Sequence, residues 1–335
     1  MPYAHHRLID EPIIAPGLDA RIGENIQGPS LIRAPDWLPG RLARYYLYFA
    51  DHKGDQIRLA FADALSGPWT VHGPGALELE KSGFPTERLL PPPGAEPRPA
   101  RGAMPDRAPP GTPGIPTLLE DASLPHIASP DAHVEEAGRR IVLYYHGLSA
   151  FGVQASRVAV SSDGLCFTPV GGEIGPAYLR VFDHAGAKHA IAMPGVMMRS
   201  PDGFRPFEAG PRLFPTSQRH SAVRKTGESL EVFCTRVGDA PERIRLSRIE
   251  LGGDWRDWRA SEPVEILRPE RPWEGADLPL ARSWRSAITA PANQLRDPAI
   301  FEEDRRVFLL YAIKGEGGIG IAELREGAAR LKCGH

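Results

Sequence analysis

Hydrophobic and polar positions along this chain repeat five times in the same order. Each copy has a helix-breaking or turn-forming start, a short apolar run, a polar turn and an aromatic-rich run, followed by a third alternating apolar segment. The copies begin near Gly28, Ser129, Gly175, His220 and Asp297. Alternation with a period of two residues is typical of strands that bury one face. The pattern therefore predicts five small antiparallel sheets.

Sheets of this size cannot bury both faces alone, so the copies are expected to stack around an axis as a β-propeller. The second, third and fourth copies begin about 45 residues apart, close to the roughly 40–45 residues of a four-stranded blade. We predict one all-β domain over residues 1–335, a five-bladed β-propeller with four-stranded antiparallel blades around a central channel. Blades are expected near 28–80, 126–172 and 173–214, then from 217 and over 296–324.

Three further segments lie outside the repeats. Residues 1–27 should supply an outer strand, within Arg7–Ile14, that closes the ring against the last blade. Residues 85–116 are rich in Pro, Arg and Gly and predict a mobile surface excursion without a function. Residues 268–295, between blades four and five, contain two tryptophans and several charges. This second insertion is predicted to cover the end of the propeller where ligands bind.

Composition supports this fold and narrows the function. The 35 Gly and 35 Pro among 335 residues fit short strands joined by turns. The net charge of −2, with 40 basic and 42 acidic residues interspersed, predicts no nucleic-acid or anionic-membrane partner. No run approaches the roughly 20 apolar residues of a membrane span. Without a signal-peptide pattern, and with three distant cysteines, a cytoplasmic protein without a disulfide framework is expected.

Two copies resemble a known group of enzymes. The segments SPDAHVEEAGRRIVLYYHG (129–147) and RDPAIFEEDRRVFLLYA (296–312) are similar to inner strands of five-bladed glycoside hydrolases of families 43 and 117 and, more distantly, 32 and 68. The resemblance covers most of the chain in pattern but only the inner strands in residues. It implies hydrolysis of a glycan or oligosaccharide by a pair of carboxylates at the axial end of the propeller.

The chain departs from the family 43 pattern at the expected catalytic positions. The first inner strand has Gly28-Pro29 where the family carries its general base. In the third blade Glu173 is displaced by one residue from the place of the family's acid, which turns it to the other face of a regular strand. Arg296-Asp297-Pro298 resembles the RDP motif of families 32 and 68, in a different blade. We therefore expect a divergent relative with its own catalytic set.

Residues that open the copies and polar residues that end the second strands should converge on one channel-end site. We predict four catalytic residues: Asp297, Asp131, Glu316 and His220. Asp297 is a general base or transition-state carboxylate, or alternatively a residue that binds backbone amides at a strand start. Asp131 is the second carboxylate or a turn residue. Glu316 is the proton donor or a β-turn residue, and the same two alternatives apply to Glu173.

Predicted substrate-binding residues are histidines, arginines and one tryptophan: His52, His133, His146, Arg180, Arg219, Arg236, Arg296 and Trp273. A histidine is a general acid, as the family 117 resemblance would allow, or hydrogen-bonds the sugar. No local metal motif occurs, so no metal or cofactor is predicted, with a divalent cation held by channel histidines as the alternative. The arginines bind an acidic sugar or form salt bridges between blades. Trp273 and Trp284 are candidates for stacking on a sugar.

Three functions remain open from the sequence. The preferred one is a glycoside hydrolase that uses Asp297 with Asp131 or Glu316. The second is a uronate-processing lyase with His220 or His133 as its base. The third is a non-catalytic carbohydrate-binding propeller, which the missing acid at Gly28 favours. A carbohydrate is the expected partner in all three.

Overall fold

A computed structural model of the chain describes residues 3–94 and 107–326. Within these residues, five four-stranded antiparallel sheets form a ring, so the predicted five-bladed β-propeller is confirmed. From the channel outward, blade 1 contains β2 (Gln27–Arg33), β3 (Tyr45–Ala50), β4 (Gln56–Ala62) and β5 (Thr70–Glu78). Blade 2 contains β6 (Ile127–Glu135), β7 (Arg140–Ala150), β8 (Val153–Ser161) and β9 (Thr168–Pro176).

The remaining blades follow the same plan. Blade 3 contains β10 (Arg180–His184), β11 (Ala187–Ala192), β12 (Val196–Ser200) and β13 (Glu208–Arg212). Blade 4 contains β14 (Gln218–Thr226), β15 (Ser229–Arg236), β16 (Ile244–Glu250) and β17 (Val264–Leu267). Blade 5 contains β18 (Arg296–Glu303), β19 (Arg306–Ala312), β20 (Ile319–Glu326) and, outermost, β1 (Tyr3–Arg7).

Helical segments in the described residues are short. The α-helix α1 (Leu118–Ser123) begins at a capping box in which Thr117 and Glu120 satisfy each other's backbone amides. Single 3₁₀ turns occur at Ala20–Ile22, Leu79–Lys81, Trp255–Asp257 and Pro272–Glu274. None of these segments has the length or the apolar character of a membrane-spanning helix.

The ring is closed by its first strand, as predicted, but a few residues earlier in the chain. β1 pairs with β20 from Tyr3↔Glu326 to Arg7↔Ala322. Beyond Arg7 the chain leaves the sheet, and Ile14 returns to form a single bridge with Ile319. The last blade is therefore assembled from both ends of the described chain.

The start of blade 3 differs from the sequence-based expectation. Glu173 lies in β9, the outer strand of blade 2, so GPAYLRVF spans two blades and the inner strand of blade 3 begins at Arg180. In blade 4 the outer strand is limited to Val264–Leu267. The preceding Trp255 lies in a 3₁₀ turn and packs between blades 3 and 4.

The same two-residue bulge occurs at the start of all five inner strands. In blade 1 the pairing passes from Gln27↔Ala50 to Ser30↔Tyr48, which leaves Gly28 and Pro29 outside the ladder. Equivalent shifts occur in blades 2, 4 and 5, at Ser129–Pro130, Arg219–His220 and Asp297–Pro298. In blade 3 the Met193 amide donates to the Ala177 carbonyl and pairing resumes at Arg180↔Ile191, so Tyr178 and Leu179 take the same place.

These bulges aim side chains at the channel, because the bulged backbone bends and twists locally. The first bulge residue has positive φ in four blades, with values of 63°, 50°, 62° and 46° at Gly28, Ser129, Tyr178 and Asp297. The repeat unit therefore begins at Tyr178 in blade 3 and at Arg219 in blade 4, whereas the sequence pattern placed these starts at Gly175 and His220. A bulge carries no hydrophobic signal, so the apolar pattern alone could not fix this register.

The apolar core lies between neighbouring blades, which leaves the channel to polar groups. Aromatic side chains of the second strands are fully buried there, including Tyr46, Tyr48, Tyr145 and Tyr311. Trp69 and Trp258 are buried as well, and Trp258 lies in the cluster that joins blades 3 and 4. These aromatic residues are therefore part of the core between blades.

Replacing Tyr3 by Phe is expected to weaken ring closure. The Tyr3 hydroxyl donates to Glu231 Oε2 at 2.7 Å and accepts from Arg224 Nη1 at 2.8 Å, which ties β1 to blade 4. Hydrogen bonds to charged partners contribute about 1.5–3 kcal/mol. Urea unfolding should show a loss of this size for Tyr3→Phe. Tyr46→Phe, which removes a bond from the neutral Leu42 amide, should cost about 1 kcal/mol and serves as the control.

Candidate functional site

The candidate site lies at the mouth, which we define as the end of the central channel where the five inner strands begin. Strand starts and the ends of the second strands meet there, as the sequence analysis expected. The structure gathers the following side chains, each less than a tenth exposed: Asn25, His52, His146, Tyr178, Arg219, His220, Glu242, Arg296, Asp297 and Glu316. Asn25, Tyr178 and Glu242 were not predicted, because they lie in loops without a local motif.

Glu316 is the centre of a buried ion-pair network. Its Oε1 accepts from Arg296 Nη1 at 2.8 Å and from His52 Nδ1 at 3.1 Å. Its Oε2 accepts from Asn25 Nδ2 at 2.9 Å and from the Ile288 amide at 3.3 Å. Burial alone would raise the pKa of this carboxyl, but His52 and Arg296 hold it well below its ordinary value. In this arrangement Glu316 is an anion that accepts hydrogen bonds and has no proton to donate.

The anionic partner fixes the tautomer of His52. Because a carboxylate only accepts, Nδ1 of His52 must carry the proton that faces Glu316. The other nitrogen, Nε2, lies 3.2 Å from the Tyr178 hydroxyl and is the atom that can exchange a proton. The His52 amide also donates to Asn25 Oδ1 at 2.9 Å, which fixes the loop after β3.

Tyr178 lies between two imidazoles at the mouth. Its ring centre is 3.9 Å from that of His146 and 4.1 Å from that of His220, at interplanar angles of 34° and 30°. Burial lowers the pKa of both histidines well below the usual value and raises the pKa of the Tyr178 phenol. All three rings are therefore neutral near pH 7, and their stacking brings blades 2, 3 and 4 together across the channel.

Asp297 is held rigidly and is completely buried. It is the first residue of the blade 5 bulge, with φ of 46°, and Pro298 restricts the backbone that follows. Its carboxylate contacts Nδ1 of His220, and neither oxygen has a regular hydrogen bond with another described residue. The sequence prediction that Asp297 and His220 share one site is therefore met by direct contact.

Gly28 explains why blade 1 has no acid at the mouth. A Cβ atom at this position would lie 3.1 Å from Ser129 Cα, and the backbone has φ of 63°. Contacts this short are tighter than nearly all real Cβ contacts. A side chain at position 28 would therefore crowd the backbone of blade 2, and glycine avoids this contact.

The arginines at the mouth bind protein groups. Arg219 donates to the carbonyls of Trp284 at 2.6 Å and Ser286 at 3.0 Å. Arg296 donates to Gln294 Oε1 at 2.9 Å besides Glu316. The Glu242 carboxylate lies between the two guanidinium groups, 3.4 Å from Arg219 Nε and 3.5 Å from Arg296 Nε. This pattern fits the structural alternative of ion pairs between elements.

Arg180 and Asp131 lie deeper in the channel. Arg180 donates to the carbonyls of Ser221 at 2.9 Å and Pro130 at 2.8 Å, which links blades 2 and 4. Asp131 directly follows the bulge, two residues after Ser129. Its Oδ2 accepts from the Val181 amide at 2.9 Å and pairs with His133 Nε2 at 2.9 Å. Burial raises the pKa of Asp131, but His133 and Arg180 keep it below its usual value. The structure gives no contact between Asp131 and Asp297.

The other predicted binding residues are scattered. Arg236 ends β15 and is partly exposed, and its carbonyl accepts from Ser283 Oγ at 3.4 Å. Trp273 lies in a 3₁₀ turn, packs against the core between blades 4 and 5, and donates from Nε1 to Asp10 Oδ1 at 3.2 Å. It is therefore not at the mouth.

Several buried polar atoms around the mouth have no hydrogen-bond partner among the described residues. They include both side-chain amide atoms of Gln27, Ser129 Oγ, both ring nitrogens of His146 and Gln218 Oε1, besides atoms of the ion pairs at Arg219, Arg296 and Glu242. Such a group costs about 1–3 kcal/mol when it is left unpaired, so buried polar groups usually have partners. Their common location, in blades 1, 2 and 4 beside Asp297 of blade 5, indicates a site for a polar ligand. Gln27 and Gln218 directly precede their bulges, a signal visible only once the bulges are known.

A strap, which we define as residues 284–288, crosses the mouth. Its carbonyls accept from Arg219, Arg296 and Asn25, and its Ile288 amide donates to Glu316. Ser286 Oγ donates to Asp121 Oδ2 of α1 at 2.8 Å. The structure thus shows the second insertion lying over the channel end, as the sequence predicted.

The first insertion touches the second one. The Thr289 amide donates to the Gly114 carbonyl at 2.8 Å, so residues next to the strap are held by the 85–116 segment. Residues 95–106 of that segment lie outside the described residues. Its predicted lack of function stays a prediction. Among the described residues, no three His, Cys, Asp or Glu side chains are arranged to hold a metal ion.

Comparisons with known proteins give one relative in sequence and several in structure. No family model matches the chain. The "Uncharacterized protein R118" of Acanthamoeba polyphaga mimivirus is 32% identical over 328 residues, which cover 90% of this chain and 83% of the relative. The GH43_1 enzyme from Xanthomonas citri complexed with xylotriose has a TM-score of 0.55 at 12% identity, over 95% of this chain and 92% of that one.

Two further solved structures show the same likeness. CoXyl43, a GH43 β-xylosidase/α-arabinofuranosidase from a compost microbial metagenome, has a TM-score of 0.54 at 13% identity, over 97% of this chain and 96% of that one. An α-L-arabinofuranosidase from Lactobacillus brevis has a TM-score of 0.53 at 10% identity, over 89% of this chain and 90% of that one. At these identities the likeness establishes the glycoside-hydrolase-like propeller fold, and the chemistry must be argued from the site.

Proposed function

We propose that this chain, which belongs to the same family as the mimivirus protein R118, is a glycoside hydrolase that cleaves a small neutral glycan at the mouth of its channel. The observation that carries the proposal is the ring of buried polar atoms around Asp297 that have no protein partner. A sugar supplies hydroxyl groups that both donate and accept, which suits amide, imidazole and carboxylate groups together.

Asp297 is the general base in this proposal. Its backbone is fixed by the bulge and Pro298, and its carboxylate contacts His220 Nδ1. The neutral His220 acts as a positioning residue that orients the carboxylate without neutralising it. Asp297 would take a proton from a water molecule as the water oxygen attacks the anomeric carbon.

His52 is the proton donor in this proposal. Its imidazolium form gives the Nε2 proton to the glycosidic oxygen as the C–O bond breaks, while the Nδ1 proton stays on the imidazole in its hydrogen bond to Glu316. The low pKa of Glu316 keeps that carboxylate ionised, so it stabilises the positive charge on the ring. The proton that Asp297 takes from water replaces the proton that His52 donates. Its transfer after the products leave returns both residues to their starting protonation states.

The substrate in this proposal is neutral. Arg180 donates to protein carbonyls, and the charges of Arg219 and Arg296 face the carboxylates of Glu242 and Glu316, although Arg219 Nε and Arg296 Nη2 have no regular hydrogen bond to another described residue. A uronate would need a further cation at the mouth, because Glu242 and Glu316 already balance the positive charges of Arg219 and Arg296. The arrangement thus supports the hydrolase over the uronate-processing alternative.

Entry of the substrate requires the strap to move. The strap covers the mouth through hydrogen bonds to side chains of Asn25, Arg219, Arg296 and Glu316. Substrate-dependent loop motion of this kind occurs on microsecond to millisecond timescales in many enzymes. Asp297 is therefore deeply buried in the structure because the strap is closed over the mouth.

A panel of neutral and uronic oligosaccharides, scored by released reducing ends, tests the proposal. We expect release from at least one neutral substrate and none from uronates. An ultraviolet-absorbing unsaturated product would instead identify a lyase. Saturable binding of a neutral sugar without any released reducing end would identify a binding propeller, and either of these outcomes would contradict the hydrolase.

A further inference from the structure

A cavity of about 540 Å³ opens on the face of the propeller opposite the mouth. It lies at the far ends of β2 and β6, against Phe301 of β18, and beside the loop that joins β2 to β3. Its volume falls within the roughly 300–1,000 Å³ of small-molecule sites. None of the residues proposed for hydrolysis lines it, so it is a separate site.

The cavity combines an aromatic ring with both kinds of charged group. Trp37 is partly exposed in its wall, and its indole Nε1 donates to Glu136 Oε2 at 2.7 Å. Leu31 and Phe301 form an apolar floor. Asp36 and Arg33 stand at the rim with side chains that are 84% and 52% exposed.

The wall of the cavity is preformed. The loop that carries Trp37 is anchored by the buried Leu38 and by the hydrogen bond from the Ala34 amide to the Arg44 carbonyl at 2.8 Å. Arg41 Nη1 pairs with Asp36 and also donates to the Ala34 carbonyl at 3.2 Å. A preformed binding surface loses little conformational entropy when the ligand binds, so the contacts contribute more fully to affinity.

We propose that this cavity binds a neutral saccharide, with Trp37 as the stacking platform. A sugar ring offers an apolar C–H face to the indole and hydroxyl groups at its edge. Those hydroxyls donate to the acceptor-only carboxylates of Asp36 and Glu136 and accept from the donor-only guanidinium of Arg33. Arg33 and Asp36 are each already paired with an opposite charge, Glu303 and Arg41, and the remaining lining carboxylate, Glu136, accepts from Trp37, so the cavity offers no uncompensated cation to an anionic ligand.

The binding role is independent of catalysis at the mouth. A second saccharide site on the opposite face would hold a glycan, or a glycan-bearing partner, while another chain end enters the mouth. A short neutral ligand suffices to test this, because only one ring is needed on Trp37. Xylotriose and galactotriose are suitable probes, since two of the structurally similar enzymes were crystallised with these sugars.

Ligand-observed NMR and calorimetry with these trioses on the full chain test the proposal. We expect saturable binding that Trp37→Ala weakens at least ten-fold and that Trp37→Phe, which keeps an aromatic face, weakens less than about three-fold. Glu265→Gln, in the outer strand of blade 4 and outside both sites, should leave this binding unchanged. Circular dichroism of each variant verifies that the fold is intact.

Three results would overturn the proposal. The first is equal affinity of the wild type and Trp37→Ala for the trioses that bind. The second is no saturable binding of either triose. The third is Trp37-dependent binding of a lysine-containing tripeptide with no binding of sugars, which would assign the cavity to a cationic ligand. Failure of hydrolysis at the mouth would leave the Trp37 results unaffected, so the two proposals fail separately.

Discussion

Asp297→Asn is expected to lower kcat about 10²–10⁴-fold on any neutral glycan that the wild type hydrolyses. An amide of the same shape cannot accept a proton from water, and a general base contributes a factor of this size. Stability should be retained or slightly increased, because the substitution removes a buried charge that has no regular hydrogen bond. Steady-state kinetics and urea unfolding measure both effects.

Asp131→Asn is the matched control for this experiment. Asp131 is also a carboxylate near the start of an inner strand, but it lies two residues deeper and binds Val181 and His133. Its substitution should leave kcat within about ten-fold and cost stability through the lost charge-assisted bonds, each about 1.5–3 kcal/mol. Equal loss of kcat in both variants would argue that the mouth is not the catalytic centre.

Glu316→Gln is expected to lower the free energy of unfolding by about 3–5 kcal/mol. The substitution removes the nearer of the two carboxylates that pair with buried Arg296 and leaves Glu242 at 3.5 Å, and breaking one side of a fully buried ion pair costs about this much. Chemical unfolding measures the loss. Glu265→Gln is the control, because its pair with Arg268 is partly exposed and should contribute about 1 kcal/mol or less.

The difference in unfolding free energy between the wild type and Glu316→Gln should depend on pH, because the pKa of Glu316 is lowered in the folded chain. A carboxyl whose pKa is lower in the folded chain than in the unfolded chain, about 4.3, stabilises the fold above that pH and stops doing so as the pH falls toward the folded value. The gap in unfolding free energy between wild type and Glu316→Gln should therefore narrow from about pH 6 to about pH 3. A gap that is constant over this range would contradict the assigned ion pair.

The fold was predictable because burial determines the residue pattern of each strand. Strand β3 and the residues of β19 after Arg306 are fully buried and form continuous apolar runs, whereas the half-buried β4 begins by alternating polar and apolar residues. The positions of Asp297, His220, His52 and Glu316 at one end of the channel also followed from the order of strands. The depth of Asp131 did not follow, because it depends on bulges at Ser129 and Pro130 that add residues without changing the apolar pattern.

Contacts that involve irregular segments were also beyond prediction from the sequence. The strap reaches Glu316 and Asn25 through the backbone groups of Ile288, and backbone groups are the same in every sequence. Tyr178 resembles the other core tyrosines in the sequence, yet positive φ places it between two histidines. The loop position of Trp37 was likewise not singled out by any motif.

The pairing of Tyr3–Arg7 with Ala322–Glu326 has a consequence for synthesis of the chain on the ribosome. The first of these segments emerges early but has no partner until more than 300 residues have followed it. Contacts between such distant segments form slowly, because a long loop must close first. Blades 1 to 4 can therefore assemble while translation continues, and the exposed edge of blade 5 remains open to wrong partners until the ring is complete.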